Sequence, residues 1–393
     1  MRSSPSPLVL TIHESFSAFD EAEWNALERG DFVFADLRFL KALENGRCLG
    51  RRTGWFPKIL AVRTAVANRD ADAQGELVGA LCLFDKSNSY GEYIFDWAWA
   101  NAAEQNGISY YPKTVAAIPF TPATGSKFLL KSASAHALAA REMLLEGARA
   151  SATDQSSLHF LFETPAETEL LRERSYLIRH SFQYQWRNRG WKTFADFLGA
   201  LRSKRRSEIR RERETVAKSG ITIKRLTGSD LTSEHAEIMY AFYLSTISKM
   251  GGHAYLSREF FVQVFTKMSD SVLFVLAENT EGEPIAGAFN LFRGTSLFGR
   301  YWGCVDDYKQ LHFEVCYYQA IDWALERGFE LFEAGAQGEH KFNRGFTPHL
   351  TLSAHEIHEP RLREAIAEFL EHEKKSIDDL FAEYAESSPF QRN

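Results

Sequence analysis

Between Glu330 and Phe346 the chain reads ELFEAGAQGEHKFNRGF, and Glu339, His340, Lys341 and Arg344 set an acid, a base and two cations close together in it. Glycines at 335, 338 and 345 let backbone come near a ligand. Lys341 and Arg344 are residue types that hold a phosphate or a carboxylate, and Glu339 or His340 can take a proton from an attacking amine. Glu333 stands near the end of what reads as a parallel strand buried on both faces, where a carboxylate must be paired or used. Ligands of open α/β sheets sit beyond such strand ends, so Gln337 and Gly338 join the candidate substrate contacts. The same residues also fit a surface loop with mixed salt bridges.

Other segments offer chemistry of their own. HFEVCYY opens a helix, and His312 and Glu314 in its first turn would flank a cleft and orient an amine; an ordinary acidic first turn would look the same. IPFTPATGSKFLL places Thr121, Thr124 and Gly125 in a stiff loop that would shape an anion or sugar pocket, or only reverse the chain. Asp96, Trp97, Trp99, Asn101, Tyr110 and Tyr111 suit a sugar or peptide surface, or a core. His349, His355 and His358 invite a metal reading, but on a strand His355 and His358 point to opposite faces, so no metal is expected. Cys48, Cys82, Cys304 and Cys316 show no CxxC spacing and suggest a reducing compartment.

The elements that must position these groups follow from periodicity. With 393 residues, 45% hydrophobic and 25% charged, the chain has material for about two domains. GELVGALCLF at Gly75 resembles GEPIAGAFNLF at Gly282, and SYGEYIFDW is echoed by LFGRYWGC, each pair reading as a hairpin. LHFLFE and FELFEAG then each follow a helix pattern, 133–150 and 312–327, and the second puts Phe313, Cys316, Tyr317, Ala320, Ile321 and Ala324 on one face. Both halves thus run strand, strand, helix, strand, which predicts an α/β chain with mixed sheets in two domains, 1–189 and 190–393. A basic helix over 192–219, capped by Thr193, opens the second domain, and an acidic helix closes it. A net charge of −6 argues against a general nucleic-acid binder, and acids interleaved in the basic helix favour a salt-bridged face over a phosphate track. No apolar run approaches a membrane span and no secretory leader is read, so a cytoplasmic location is expected.

Those residues carry a resemblance. GEPIAGAFNLF, GRYWGC, HFEVCYYQAIDWALERGFELFEAG, IPFTPATG and GAQGEHKFNRGFTP, with the internal duplication, resemble the double acetyltransferase-like (GNAT) fold of Fem-type peptidyltransferases. Within that fold they resemble a bacterial group of FemAB-like N-acyltransferases of peptidoglycan biosynthesis or recognition type. The resemblance implies two tandem GNAT-like domains and transfer of an acyl or aminoacyl group to an amine of a cell-wall-related substrate in an interdomain cleft. Acyl-CoA or aminoacyl-tRNA would be the donor. Backbone N–H groups around GRYWG would stabilise the oxyanion, with Arg300 beside them. A second outcome it allows is a protein that only recognises a peptide or glycopeptide. The chain departs from the pattern twice: the long helical arm of Fem enzymes is reduced to the basic helix, and no R/Q-x-x-G-x-G/A loop joins strand to helix, TPATGSK being the nearest stretch.

Overall fold

The computed structural model describes residues 7–65, 75–335 and 338–391. The chain divides into two compact units, one of residues 1–181 with 351–375, the other of 182–350 with 376–393. The sequence suggested one cut at 189/190; each unit instead takes a closing segment from a distant part of the chain.

The first unit holds β1 (Leu8–His13), β2 (Trp55–Thr64), β3 (Leu77–Lys86), β4 (Lys113–Ala116), β5 (Phe128–Leu130) and β6 (Ser157–Leu161). They pair in the order β1-β2-β3-β4-β6, with β5 on β3 and only the β4–β6 contact parallel. Alternation along the strands sorts the two faces. Leu81, Leu83, Ala116, Leu158 and Phe160 pack with Leu144 and Ala148 of the helix Ala137–Ser151. A second cluster joins Trp99, Ala103 and Tyr110 to Leu362, Ile366 and Leu370 of the helix Pro360–Glu386.

The second unit contains β7 (Leu177–Arg187) from Phe182 onward, β8 (Thr222–Leu226), β9 (Val272–Glu278), β10 (Pro284–Arg293), β11 (Ser296–Cys304) and β12 (Leu331–Glu333). Its order is β8-β9-β10-β11-β12-β7, with β11–β12 the parallel contact. The strand after β6 in sequence, β7, therefore pairs with β12. The strand after β12, β13 (Thr347–Ile357), pairs with β6.

Two helices depart from the periodic expectation. The basic segment is not one helix over 192–219 but two, Phe194–Ala200 and Ser203–Ala217. Thr193 caps the first, accepting from Asp196 N–H. The break falls where Leu201 turns extended and buries its side chain, and the chain bonds to the C-terminal segment through Arg202 N–H to Pro389 O and Gln391 N–H to Ala200 O. The helix expected over 312–327 is interrupted by a π-turn, Glu314–Tyr318, between Leu311–Phe313 and Gln319–Glu326. A wide turn adds residues to the turn and rotates all that precede it. Glu314 becomes buried, while Phe313 and Cys316 are only half-buried.

Candidate active site

The site begins with a fork in the second sheet. β11 pairs with β12 only over Ser296–Phe298. Beyond Gly299 the strands part, and the gap is a cavity of about 500 Å³. β11 is also bulged here: Phe289 of β10 faces Tyr301 and Asn290 faces Gly299, leaving Arg300 as the extra residue. A bulge bends the strand, breaks the ladder and re-aims backbone groups. Helix Ser233–Met250 supports this stretch, with Thr246 Oγ1 donating to Trp302 O at 2.7 Å and Ser245 Oγ to Cys304 O at 3.0 Å. Gly303 is required there, because a Cβ would lie 2.0 Å from Phe242 O.

Of the opening motif, Ala334 and Gly335 just after β12 line the cavity, and so do three later groups, Gly338, His340 and Lys341. These three come from the 3-10 turn Glu339–Arg344 and its preceding glycine, whose φ of 113° belongs to glycine; a Cβ there would meet the His340 ring at 2.5 Å. His340 Nε2 lies 3.0 Å from Tyr317 Oη. Burial, then Arg344 and Lys341, hold the His340 pKa below its ordinary value. Lys341 is 3% exposed and its Nζ donates to Gly335 O at 2.9 Å. Burial lowers its pKa to about 8. The His312 ring packs at a tilt against Trp302, centroids 4.4 Å apart, and burial followed by the charges of His340, Arg344 and Lys341 pushes it down to about 3. It is a neutral imidazole at any ordinary pH. Arg300, Tyr301 and Asn290 also line the cavity.

The other candidates lie elsewhere. Glu314 does not share the cavity with His312: two residues on, it faces another side of the helix, toward helix Ser203–Ala217, where its Oε1 accepts from Arg213 Nε at 3.2 Å and Gln319 Nε2 at 2.7 Å. Burial raises its pKa. Arg344 is no free anchor: it binds Glu212 through Nη2 at 2.6 Å and Nε at 3.2 Å, donates to Tyr318 Oη and His340 O, and covers the Phe313 ring. Glu339 is exposed, outside a lining that passes from Gly338 to His340. Glu333 is buried and accepts from Gln185 Nε2 at 2.9 Å, a pairing partner rather than a cavity group. Gln337 lies outside the described residues.

Thr121, Thr124 and Gly125 belong to the first unit, in a loop that is filled. Thr121 Oγ1 donates to Pro119 O at 3.0 Å, Lys127 Nζ to Gly125 O at 2.7 Å, and a Cβ on Gly125 would sit 2.2 Å from the Phe32 ring. Sequence reading missed Asn290, Tyr301, Trp302 and Tyr317 as lining groups. Asn290 carried a signal, a lone amide in the apolar run PIAGAFNLF; Tyr301 and Trp302 lie in GRYWG, read only for its backbone N–H groups, and Tyr317 read as part of the apolar helix face.

Among the described residues no group of three or more His, Cys, Asp or Glu is placed to hold a metal, and no helix is long and apolar enough to cross a membrane. A family model described as FemAB-like, peptidoglycan biosynthesis/recognition, matches residues 15–392. Comparison with curated protein sequences gives no match. Among solved structures, the crystal structure of FemX covers 91% of this chain and 100% of its own at 13% identity, with a TM-score of 0.52. L-PGS from Bacillus licheniformis covers 85% and 96% at 9% identity and 0.46, and a tandem GNAT protein from the clavulanic acid biosynthesis pathway 90% and 99% at 10% and 0.41. The likeness to FemX shows the fold, a tandem GNAT-like α/β architecture.

Proposed function

This chain belongs to the FemAB-like family, and on that premise we propose that it is an N-acyltransferase, moving an acyl or aminoacyl group from an activated donor to an amine of a cell-wall-related substrate. The observation that carries the reading is the β11–β12 fork with its bulge at Arg300, opening on His340 and Lys341. Acyl transfer needs an attacking lone pair, a polarised carbonyl and a route for the proton. Backbone N–H groups around the bulge would bind the oxyanion of the tetrahedral intermediate. Arg300 would meet the phosphates that both acyl-CoA and aminoacyl-tRNA carry.

Helix Ser203–Ala217 is a poor phosphate track, since Arg205 pairs with Glu208 and Arg213 with Glu314. That favours an acyl thioester over aminoacyl-tRNA as donor. The test is turnover by the purified protein with acyl-CoA and aminoacyl-tRNA pools and amine-bearing cell-wall peptides, read by mass spectrometry of the acceptor. A new amide on the acceptor that disappears in Arg300→Ala and His340→Ala supports the reading. Saturable peptide binding with no amide from any donor would replace it with a recognition protein.

A further inference from the structure

We propose that Lys341, in its neutral form, is the group that takes the proton from the attacking amine, with His340 as a positioning residue beside it. The inference rests on the N-acyl transfer reading. What decides the base is which nitrogen facing the cavity has a lone pair to offer.

His340 does not. The Tyr317 hydroxyl is buried, and among the described groups its one hydrogen-bond partner is His340 Nε2. A buried hydroxyl donates to the acceptor available, so Nε2 receives that O–H and the ring proton resides on Nδ1. Both ring nitrogens are then committed. His312 is packed among Trp302, Phe313, Tyr317 and His340 and is too weak a base to hold a proton.

Lys341 remains. Its Nζ sits in the cavity wall with one acceptor, Gly335 O, and no carboxylate contributes to its ionisation. Apart from Glu339 of its own turn, which is exposed and outside the cavity lining, the titratable and charged groups around it are the Cys316 thiol on the π-turn, His312 on the turn before it, His340 and Arg344 on its own turn, and Arg300, which also lines the cavity. None is an anion in the ordinary range, burial having raised the Cys316 pKa well above its usual value. An ammonium is therefore costly here and the free amine accessible, with a pKa of about 8. One N–H of the free amine satisfies Gly335 O, leaving the lone pair for substrate.

The step balances without another reactant. The acceptor nitrogen forms the new C–N bond, and Lys341 takes the proton that nitrogen sheds. As the tetrahedral intermediate collapses, the C–S or C–O bond to the donor breaks with its electron pair on sulfur or oxygen. The Lys341 ammonium returns the proton to that leaving group, which restores the free amine.

Two measurements test this. The first is NMR titration of the full protein carrying ¹³C-labelled lysine, with Lys341→Met assigning the resonance. Lys341 titrating near pH 8 supports the proposal, and titration above pH 10 overturns it whether or not turnover is found. The second is the pH dependence of kcat. Wild type should show a rising limb near pH 8; Lys341→Met and Lys341→Arg should lose roughly 10²-fold or more and the limb with it, because neither side chain can cycle a proton. His340→Gln should lower kcat yet keep the limb. A limb that survives in Lys341→Met and vanishes in His340→Gln would give the base role to His340. Wild type without turnover from any donor would sink the N-acyltransferase reading instead, leaving the titration to decide the state of the lysine.

Discussion

The two units share a strand order and differ in what they do with it. β1-β2-β3-β4-β6 and β8-β9-β10-β11-β12 have the same pattern of antiparallel and parallel contacts, and a helix precedes the last strand in each. In the second unit a bulge and an early fork open a cavity, whereas in the first the β3–β4 register runs unbroken from Leu83↔Ala116 to Lys86↔Lys113. That register sets two buried lysines opposite each other. Lys113 is neutralised on the spot, donating to Glu92 Oε2 at 2.7 Å, Ser89 Oγ at 3.0 Å and the Asp96 carboxylate. Lys341 of the second unit is as deeply buried and has only a carbonyl. A buried charge with its counter-ions holds structure together, whereas burial lowers the pKa of an amine that lacks them. Lys86 also has only a carbonyl, Tyr90 O, and is lowered to about 7, so what sets Lys341 apart is that it lines a cavity.

Swapping each lysine for methionine is the sharpest way to break that comparison. Lys113→Met strands Glu92 and Asp96 without their cation, and should cost about 3–5 kcal/mol in urea unfolding. Lys341→Met removes a buried amine that has a carbonyl partner and no counter-ion, and should leave stability unchanged or raised. Equal losses in both would end the distinction between a structural and a functional lysine.

Arg344 tests the boundary of the site. The sequence treats it as an anion anchor beside Lys341, but its guanidinium is occupied by Glu212, Tyr318 and His340 O. Arg344→Ala should therefore cost about 2–3 kcal/mol of stability through lost charged hydrogen bonds, and the folded fraction should keep its KM for donor. A raised KM at unchanged stability would return Arg344 to the substrate.

How far the sequence could be read follows from where each partner lies along the chain. The duplicated hairpins, the Thr193 cap and the need to pair Glu333 are local patterns, and periodicity or composition exposes them. Glu212 lies far upstream of Arg344, and the segment that breaks the basic helix at Leu201 comes from Pro389 to Gln391. No local pattern signals either. The π-turn escapes for another reason: a constant 100° per residue assumes that no residue is added to a turn, and one wide turn rotates what precedes it relative to the helix that follows; His312 and Glu314, two residues apart, face different sides of any helix. The Thr121–Gly125 loop looked like a pocket because nothing nearby in sequence announces that Phe32 fills it.

The first unit also buries a hydrogen-bonded imidazole pair. His159 Nδ1 and His355 Nδ1 are 2.6 Å apart, and Ser157 and Ser353 hold the outer nitrogens. Burial, with the Lys113 charge adding to it, pushes His159 down to about 3, and burial with His159 and Arg179 holds His355 well below its ordinary value. Folded pKa values below the unfolded 6.5 mean stability present above pH 6.5 and lost as pH falls, because the unfolded chain binds the extra protons. Glu92 and Glu163, which burial raises to about 7 and about 8, act in the opposite direction but are common to wild type and variant. The stability gap between wild type and the double variant His159→Gln, His355→Gln should thus narrow on going from pH 7.5 to 5, by about 2 kcal/mol for each imidazole that charges on unfolding. A gap constant with pH would mean that the pair is already protonated in the fold.

The smallest expected effect bears on the acid of the opening motif. Glu339 begins the 3-10 turn and is exposed, and the cavity lining skips it between Gly338 and His340. A proton acceptor must come within hydrogen-bond reach of the amine it serves, and a side chain pointing to solvent does not. Glu339→Gln should therefore leave kcat within about twofold of wild type and stability within about 0.5 kcal/mol, the usual range for a surface change. If Glu339→Gln instead lowers kcat a hundredfold with stability intact, the carboxylate must swing inward during turnover. The proton would then travel to the rim of the cavity rather than to the amine in its wall.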